Sequence, residues 1–225
     1  MKHLEHTAAP RSMARTMLLA ACLVMAAMGL TACSETDNDD GEYANWAERN
    51  TAYYNSIYSQ ATSAQGSGEW VVMKQWTLAD ELATKPEHFV VARVLNHGEG
   101  SGCPLYTDSI YVHYRLRFMP TTQHPQGLVV KETWSGDYTP ETMQPVRLAV
   151  NGITGWETAI QHMHIGDRWL LYIPCQQAYG LKNGQDNGIP DGSTLIYDVT
   201  LAGYYRSNAS YPDWKSKDGG TWIWE

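Results

Sequence analysis

The hydrophobic positions change period several times along the chain, and each change marks an element. From Ile110 to Phe118 they alternate, with Val112, Tyr114, Leu116 and Phe118 on one side and Tyr111, His113, Arg115 and Arg117 on the other. A period of two is that of a half-buried strand. The same alternation recurs in Trp169, Leu171 and Ile173, and again in Leu195, Tyr197, Val199 and Leu201. Two denser runs, Trp70–Trp76 and Phe89–Leu95, predict further strands. Between them the period lengthens. After Gly155, the residues Trp156, Ala159, Ile160 and Met163 form one apolar stripe that Gly166 stops, which predicts a short helix. Tyr43, Trp46, Tyr54 and Ile57 predict another over Tyr43–Ala61, broken by Gln65-Gly66-Ser67-Gly68. Several strands around one short helix make an α+β domain, an antiparallel sheet packed on that helix, with an N-terminal helical and extended addition. No internal repeat is visible.

The N terminus follows a different logic. Lys2, Arg11 and Arg15 precede an uncharged run of 14 residues, Met17–Leu30. At 1.5 Å per residue that run falls short of a hydrocarbon core about 30 Å thick. Residues 1–32 therefore read as a secretory signal. Leu30-Thr31-Ala32-Cys33 resembles a bacterial lipobox, with Cys33 the lipidated new N-terminus; a plain signal peptide with a coincidental cysteine is the alternative. Ser34–Glu42 holds five acidic residues and no base, so 33–42 is expected to be a solvated tether. Serine after Cys33 resembles outer-membrane sorting. The expected location is the bacterial cell envelope, as an outer-membrane lipoprotein on its periplasmic or surface face.

Composition narrows the function classes. The 225 residues carry 16 Lys+Arg against 24 Asp+Glu, a net charge of −8, which disfavours a nucleic-acid partner. Without residues 1–32 the balance is 13 bases to 23 acids. A mean hydropathy of −0.41 excludes a multi-span membrane protein. Rings come from 14 Tyr and 9 Trp rather than from the 2 Phe, a bias suited to grooves where a ring packs and a polar tip meets water. Cys22 lies in the signal and Cys33 in the lipobox, leaving Cys103 and Cys175. Export permits a disulfide between them; two apolar fillers are the other reading. His162 and His164 stand two apart on a helix and diverge. No metal, cofactor, nucleotide loop, Ser–His–Asp signature or Cys-x-x-Cys pair is expected. The tail 206–225 ends in Trp222-Ile223-Trp224, which points to an end packed back on the domain.

One stretch carries a family resemblance. Gly152-Ile153-Thr154-Gly155-Trp156-Glu157, Met163-His164-Ile165-Gly166-Asp167, Ala178-Tyr179-Gly180, Gly188-Ile189-Pro190 and Ser193-Thr194-Leu195-Ile196-Tyr197-Asp198-Val199 stand in order. Gly98-Glu99-Gly100 and Val112-His113-Tyr114 precede them. Residues 86–205 thereby resemble the FKBP-type peptidyl-prolyl cis-trans isomerases, with 43–85 an N-terminal extension. The resemblance implies a twisted antiparallel sheet wrapped around one short helix, an apolar pocket between them, and proline-containing polypeptide clients. It implies a pocket floor at Trp156 and walls at Tyr114, Val146, Ile153, Ile189 and Tyr197. The Ile153 N–H and the Tyr179 hydroxyl are the implied donors to substrate carbonyls. Rotation about an Xaa–Pro bond forms and breaks no bond to carbon, so such a pocket needs no nucleophile, metal or base.

The chain also departs from the family. The rim Phe-Asp pair falls at Val130 and Lys131, and a one-residue slip would bring Glu132 to the acid position instead. Val146 is aliphatic where an aromatic is usual, Tyr197 replaces Phe, and Pro120–Gln126 lengthens a neighbouring loop. Two function classes follow: an isomerase that assists folding of exported proteins, or a catalytically weak FKBP-like module that binds peptides. A surface lipoprotein that captures sugars or peptides is a third. Oligomeric state is open, and a strand swap or dimer through 43–85 is conceivable.

Overall fold

A computed structural model describes residues 41–182, 188–206 and 221–223. The signal, Cys33, most of the acidic tether and most of the tail lie outside the described residues. No helix among the described residues is long and apolar enough to cross a membrane.

Eight strands are described: β1 (Trp70–Lys74), β2 (Phe89–Asn96), β3 (Ser109–Arg117), β4 (Val129–Glu132), β5 (Val146–Ala149), β6 (Arg168–Ile173), β7 (Leu195–Arg206) and β8 (Thr221–Ile223). All pair antiparallel in the order β1-β2-β6-β7-β3-β4, with β5 also on β3 and β8 on β7. The α-helices among the described residues are α1 (Trp46–Ser63) and α2 (Thr154–Ile160).

Period-two alternation decides which face each strand residue takes. Val90, Ala92, Ile110, Val112, Leu171, Ile173, Val199 and Leu201 are fully buried against α2, whose Trp156, Ala159 and Ile160 point back at them. Their neighbours face outward, and there α1 covers the β1–β2–β6 end: Tyr54 and Ala61 pack on Trp70, Val91, Tyr172 and Ile196. The stretch 43–85 is thus built into the body as an edge strand and a covering helix. Its joint with the rest is polar as well as apolar. Buried Asn50 accepts from Thr194 N–H at 2.8 Å, and Trp46 Nε1 donates to Ser193 Oγ at 2.7 Å. Gly192 (φ +76°) makes this approach possible, since a Cβ there would sit 2.4 Å from Ala47 Cβ.

The sequence-based boundaries shift at three places. α1 begins at Trp46 because Asn45, at φ 49°, breaks the helical backbone before it. β1 ends at Lys74, leaving Trp76 in the turn that follows. Met163 is fully buried although it lies beyond the last turn of α2. At the other end of the chain, residues 221–223 return to pair with 204–206 of β7. Cys103 and Cys175 are separate free thiols, Cys175 buried and Cys103 3.7 Å from His164 Nε2. His162 turns instead to the Thr158 carbonyl, so the two imidazoles face different partners.

The tether's last residues are anchored. Glu42 accepts from Thr121 Oγ1 and lies 2.7 Å from His124 Nδ1, and Arg49 donates to the Glu42 carbonyl at 2.8 Å. These hydrogen bonds, from His124 first and then Thr121, hold its carboxyl below the ordinary value. The Pro120–Gln126 insertion thus grips the end of the segment that leads to the N-terminus.

Candidate active site

Between α2 and the concave face of the sheet lies a cavity of about 590 Å³. Tyr114 and Leu116 reach it from β3, Tyr197 from β7, Trp156 from α2, and Leu148 from β5. Loops complete it with Gly152, Ile153, Tyr179 and Ile189. Its floor is aromatic. The Trp156 ring stands 6.2 Å from Tyr114 at 70° and 5.2 Å from Tyr197 at 54°, and the two tyrosine rings are 6.0 Å apart. Such tilted and edge-on contacts fix one another's orientation. Burial pushes the Tyr197 phenol pKa up, so the ring stays neutral across physiological pH.

Local sequence explains why Trp156 lies so deep. Gly155 packs where any Cβ would fall 2.3 Å from Ile173 Cγ2, so the helix sits directly on β6 and its indole drops to the floor. Ile153 precedes the first turn in an extended conformation (φ −76°, ψ 143°), its carbonyl accepting from Glu157 N–H at 3.1 Å. Its own N–H, like the Tyr179 hydroxyl, has no hydrogen-bond partner among the described residues. Both donors are available to a ligand.

The loop that carries Ile153 is clamped from behind. Glu157 is 9% exposed; its Oε1 accepts from Gly152 N–H at 2.9 Å and its Oε2 from Trp76 Nε1 at 3.0 Å. Trp76 also donates its backbone N–H to Thr158 Oγ1 and packs on Tyr106 at 5.1 Å. Trp76 is therefore a positioning residue contributed by the N-terminal stretch. Trp76→Phe should lower kcat/KM about three-fold, through a loosened Gly152–Ile153 segment, while urea unfolding moves by less than ~1 kcal/mol. An unchanged kcat/KM would remove Trp76 from that role.

Of the nine residues nominated from sequence, the structure brings eight to this cavity: Tyr114, Val130, Lys131, Ile153, Trp156, Tyr179, Ile189 and Tyr197. Val146 stands outside the lining. It pairs with Val112 and packs half-buried on the core, and Leu148, two residues on and on the same strand face, lines the cavity. Period two could have nominated Leu148, and likewise Leu116 from Tyr114. Asn151 and Gly152 also line it and had no such signal.

The rim is set by a bulge. Lys131 pairs with Leu116 and Val129 with Arg117, so Val130 is the extra residue between them. Two successive side chains, Val130 and Lys131, thereby reach one cavity where a regular strand would send one away. Glu132 goes to the other face and binds Arg115 at 2.7 Å. The acid considered for the rim is thus committed elsewhere, and Lys131 is the one charged group among the described residues lining the cavity. A larger cleft of about 920 Å³ on the outer face mixes charges of both signs, with Glu99, Glu141 and Arg168 in its walls. It suits a dehydrated prolyl ring less well.

Parts of the chain match known proteins. The sequence model of the FKBP-type peptidyl-prolyl cis-trans isomerase family matches residues 103–202. The FKBP-type 22 kDa peptidyl-prolyl cis-trans isomerase of Escherichia coli is 36% identical over 110 residues, covering 48% of this chain and 47% of that protein. The macrophage infectivity potentiator of Trypanosoma cruzi is 33% identical over 129 residues, 57% of this chain and 59% of that one. The chain spans about half the length of these curated relatives. Among solved structures, FkpA from Escherichia coli aligns with a TM-score of 0.48 at 22% identity, covering 86% of this chain and 72% of its own. Residues 103–202 are thus similar in sequence to the FKBP-type peptidyl-prolyl cis-trans isomerases.

Proposed function

We propose that this protein is a peptidyl-prolyl cis-trans isomerase that speeds the folding of exported polypeptides from a lipid anchor at Cys33 in the cell envelope. The observation that carries the catalytic part is the indole-floored cavity with two donors that have no partner among the described residues. The planar amide is stabilised by resonance, and its rotation barrier is about 18–20 kcal/mol. Water favours the planar, charge-separated form, so moving the imide onto Trp156, Tyr114 and Tyr197 removes part of that preference. The prolyl ring would sit on the indole, with the Ile153 N–H and Tyr179 hydroxyl holding the flanking carbonyls. These donors act by fixing one side of the bond while the other turns, the interaction growing as the twisted form is reached. No covalent step is involved.

Support for the anchor is the sequence alone: a positive start, a short apolar run and Leu30-Thr31-Ala32-Cys33. Palmitate labelling in a bacterial host, lost in Cys33→Ser, tests it; labelling that survives the substitution would reject it. The catalytic reading is tested on a proline-limited refolding reaction. Acceleration proportional to protein concentration is expected, and a rate equal to the spontaneous one rejects it.

Lys131 favours a second reading, a peptide-binding module with weak turnover. An ammonium at the rim reverses the sign of the field an acid would give there. If that charge limits catalysis, Lys131→Asp should raise kcat/KM on a neutral peptide, by up to about ten-fold. A fall would show that the lysine itself helps turnover.

A further inference from the structure

Lys131 has three properties that together exceed a mere rim position. The bulge between β3 and β4 turns it into the cavity next to Val130. It is exposed and forms no ion pair among the described residues. Its sequence neighbour Glu132, the acid best placed to neutralise it, is held by Arg115 on the opposite face at 2.7 Å. Every other described residue lining the cavity is of an uncharged type, and burial pushes the Tyr197 phenol pKa up. Among the described residues that line this cavity, Lys131 therefore supplies the one formal charge.

We infer that Lys131 is a specificity-determining residue that selects prolines flanked by an acidic residue. The inference rests on the isomerase reading and names the substrate class of that site. A substrate carboxylate one residue from the bound proline would lie within a few ångströms of the cavity rim, where a single exposed ion pair alters affinity by a modest factor. The net charge of the chain, −8, acts in the opposite direction at long range and repels acidic clients. The two effects separate by distance: the bulk field is screened beyond about 10 Å at 0.1 M salt, whereas a contact at the rim is screened much less. Preference for acid-flanked prolines is thus a local property of the cavity and not of the surface as a whole. It also reassigns the departure from an acidic rim. What neutral prolines lose in turnover, acid-flanked ones regain.

The test uses the full mature chain and capped peptides, so that no terminal charge intervenes. In one series, acetyl-Ala-Xaa-Pro-Phe-Ala-amide, Xaa is Glu, Gln or Lys; in a second, acetyl-Ala-Ala-Pro-Xaa-Ala-amide, the charge follows the proline. Each catalysed rate is divided by that peptide's own spontaneous rate. In at least one series the wild type should prefer Glu over Gln by about five-fold at low salt, with Lys lowest. Lys131→Gln should bring the Glu-to-Gln ratio to about one, and Lys131→Glu should reverse the order. Raising salt to about 1 M should shrink the wild-type ratio. Equal rates for Glu, Gln and Lys in both series, with the Gln peptide still turned over, would overturn the inference and leave the isomerase reading intact. A ratio unchanged by Lys131→Gln overturns it too. No turnover of any peptide rejects the isomerase reading itself.

Discussion

Trp156→Leu is expected to lower kcat/KM toward an Xaa–Pro peptide about 100-fold while the protein stays folded, a loss of about 2.7 kcal/mol in transition-state stabilisation. The indole, 7% exposed, meets both Tyr114 and Tyr197 by its ring faces and edges. Leucine keeps the site apolar but removes the flat surface on which a prolyl ring is held during rotation. It also frees the two tyrosines, whose orientations the indole fixes. Alanine is the poorer choice because truncating a buried tryptophan costs about 3–5 kcal/mol of stability, so lost activity and lost fold would be confounded. The check is kcat/KM alongside urea unfolding. A leucine variant as active as the parent would mean that the cavity floor is ordinary core.

Asp167→Ala should destabilise the protein by about 3–5 kcal/mol, with little effect on the cavity lining. Asp167 is 3% exposed, and its two oxygens accept from Gly98 N–H and from His164 N–H, each at 2.7 Å. Removing the carboxylate leaves two amides unsatisfied where backbones cross too closely for water. A Cβ on Gly98 would fall 2.2 Å from the Ile165 carbonyl oxygen and 2.5 Å from the Asp167 nitrogen. The urea midpoint should fall by about 1.5–2.5 M at unchanged slope. A shift under ~1 kcal/mol would show that the two loops are held by packing alone.

Trp156 was legible through the family resemblance, whereas Asp167 stood in one of its motifs with no role given to it. Trp156 and Asp167 belong to short local patterns, Gly-Trp-Glu opening a helix and Gly-Asp closing the turn after it, and local patterns survive without knowledge of the fold. Alternation likewise placed Tyr114 and Tyr197 on one face, because a strand's period is fixed by its backbone. What stayed hidden is long-range. Trp76 meets Glu157 across 81 positions, and Asn50 meets Thr194 across 144. Neither pairing leaves a trace in composition or periodicity. Asn50 in particular sits on the buried face of an amphipathic helix, where a polar residue reads as a defect until its partner is known.

The rim shows a third kind of limit. Period two sends Lys131 and Val130 to opposite faces, and only the unpaired residue of the bulge brings both into the cavity. A bulge has no signature in Gly127-Leu128-Val129-Val130-Lys131-Glu132-Thr133. Val146 failed for a related reason: its register opposite Val112 commits it to the core, and register is a property of two strands rather than one. The N-terminal stretch was read as an addition because the family resemblance begins only at residue 86. In the fold it covers the β1–β2–β6 end of the sheet's outer face and supplies the indole that braces the Gly152–Ile153 loop.

The most direct measurement is the cis–trans exchange rate of a neutral, capped Ala-Ala-Pro-Phe peptide, followed by two-dimensional exchange NMR with catalytic amounts of the protein. This readout involves no protease and no covalent trapping. Exchange that rises in proportion to added protein, and returns close to background in Trp156→Leu, is the predicted result. Exchange no faster than in buffer, with a folded protein whose Trp156, Tyr114 and Tyr197 signals still shift on peptide addition, would contradict catalysis and leave a cavity that binds proline without turning it.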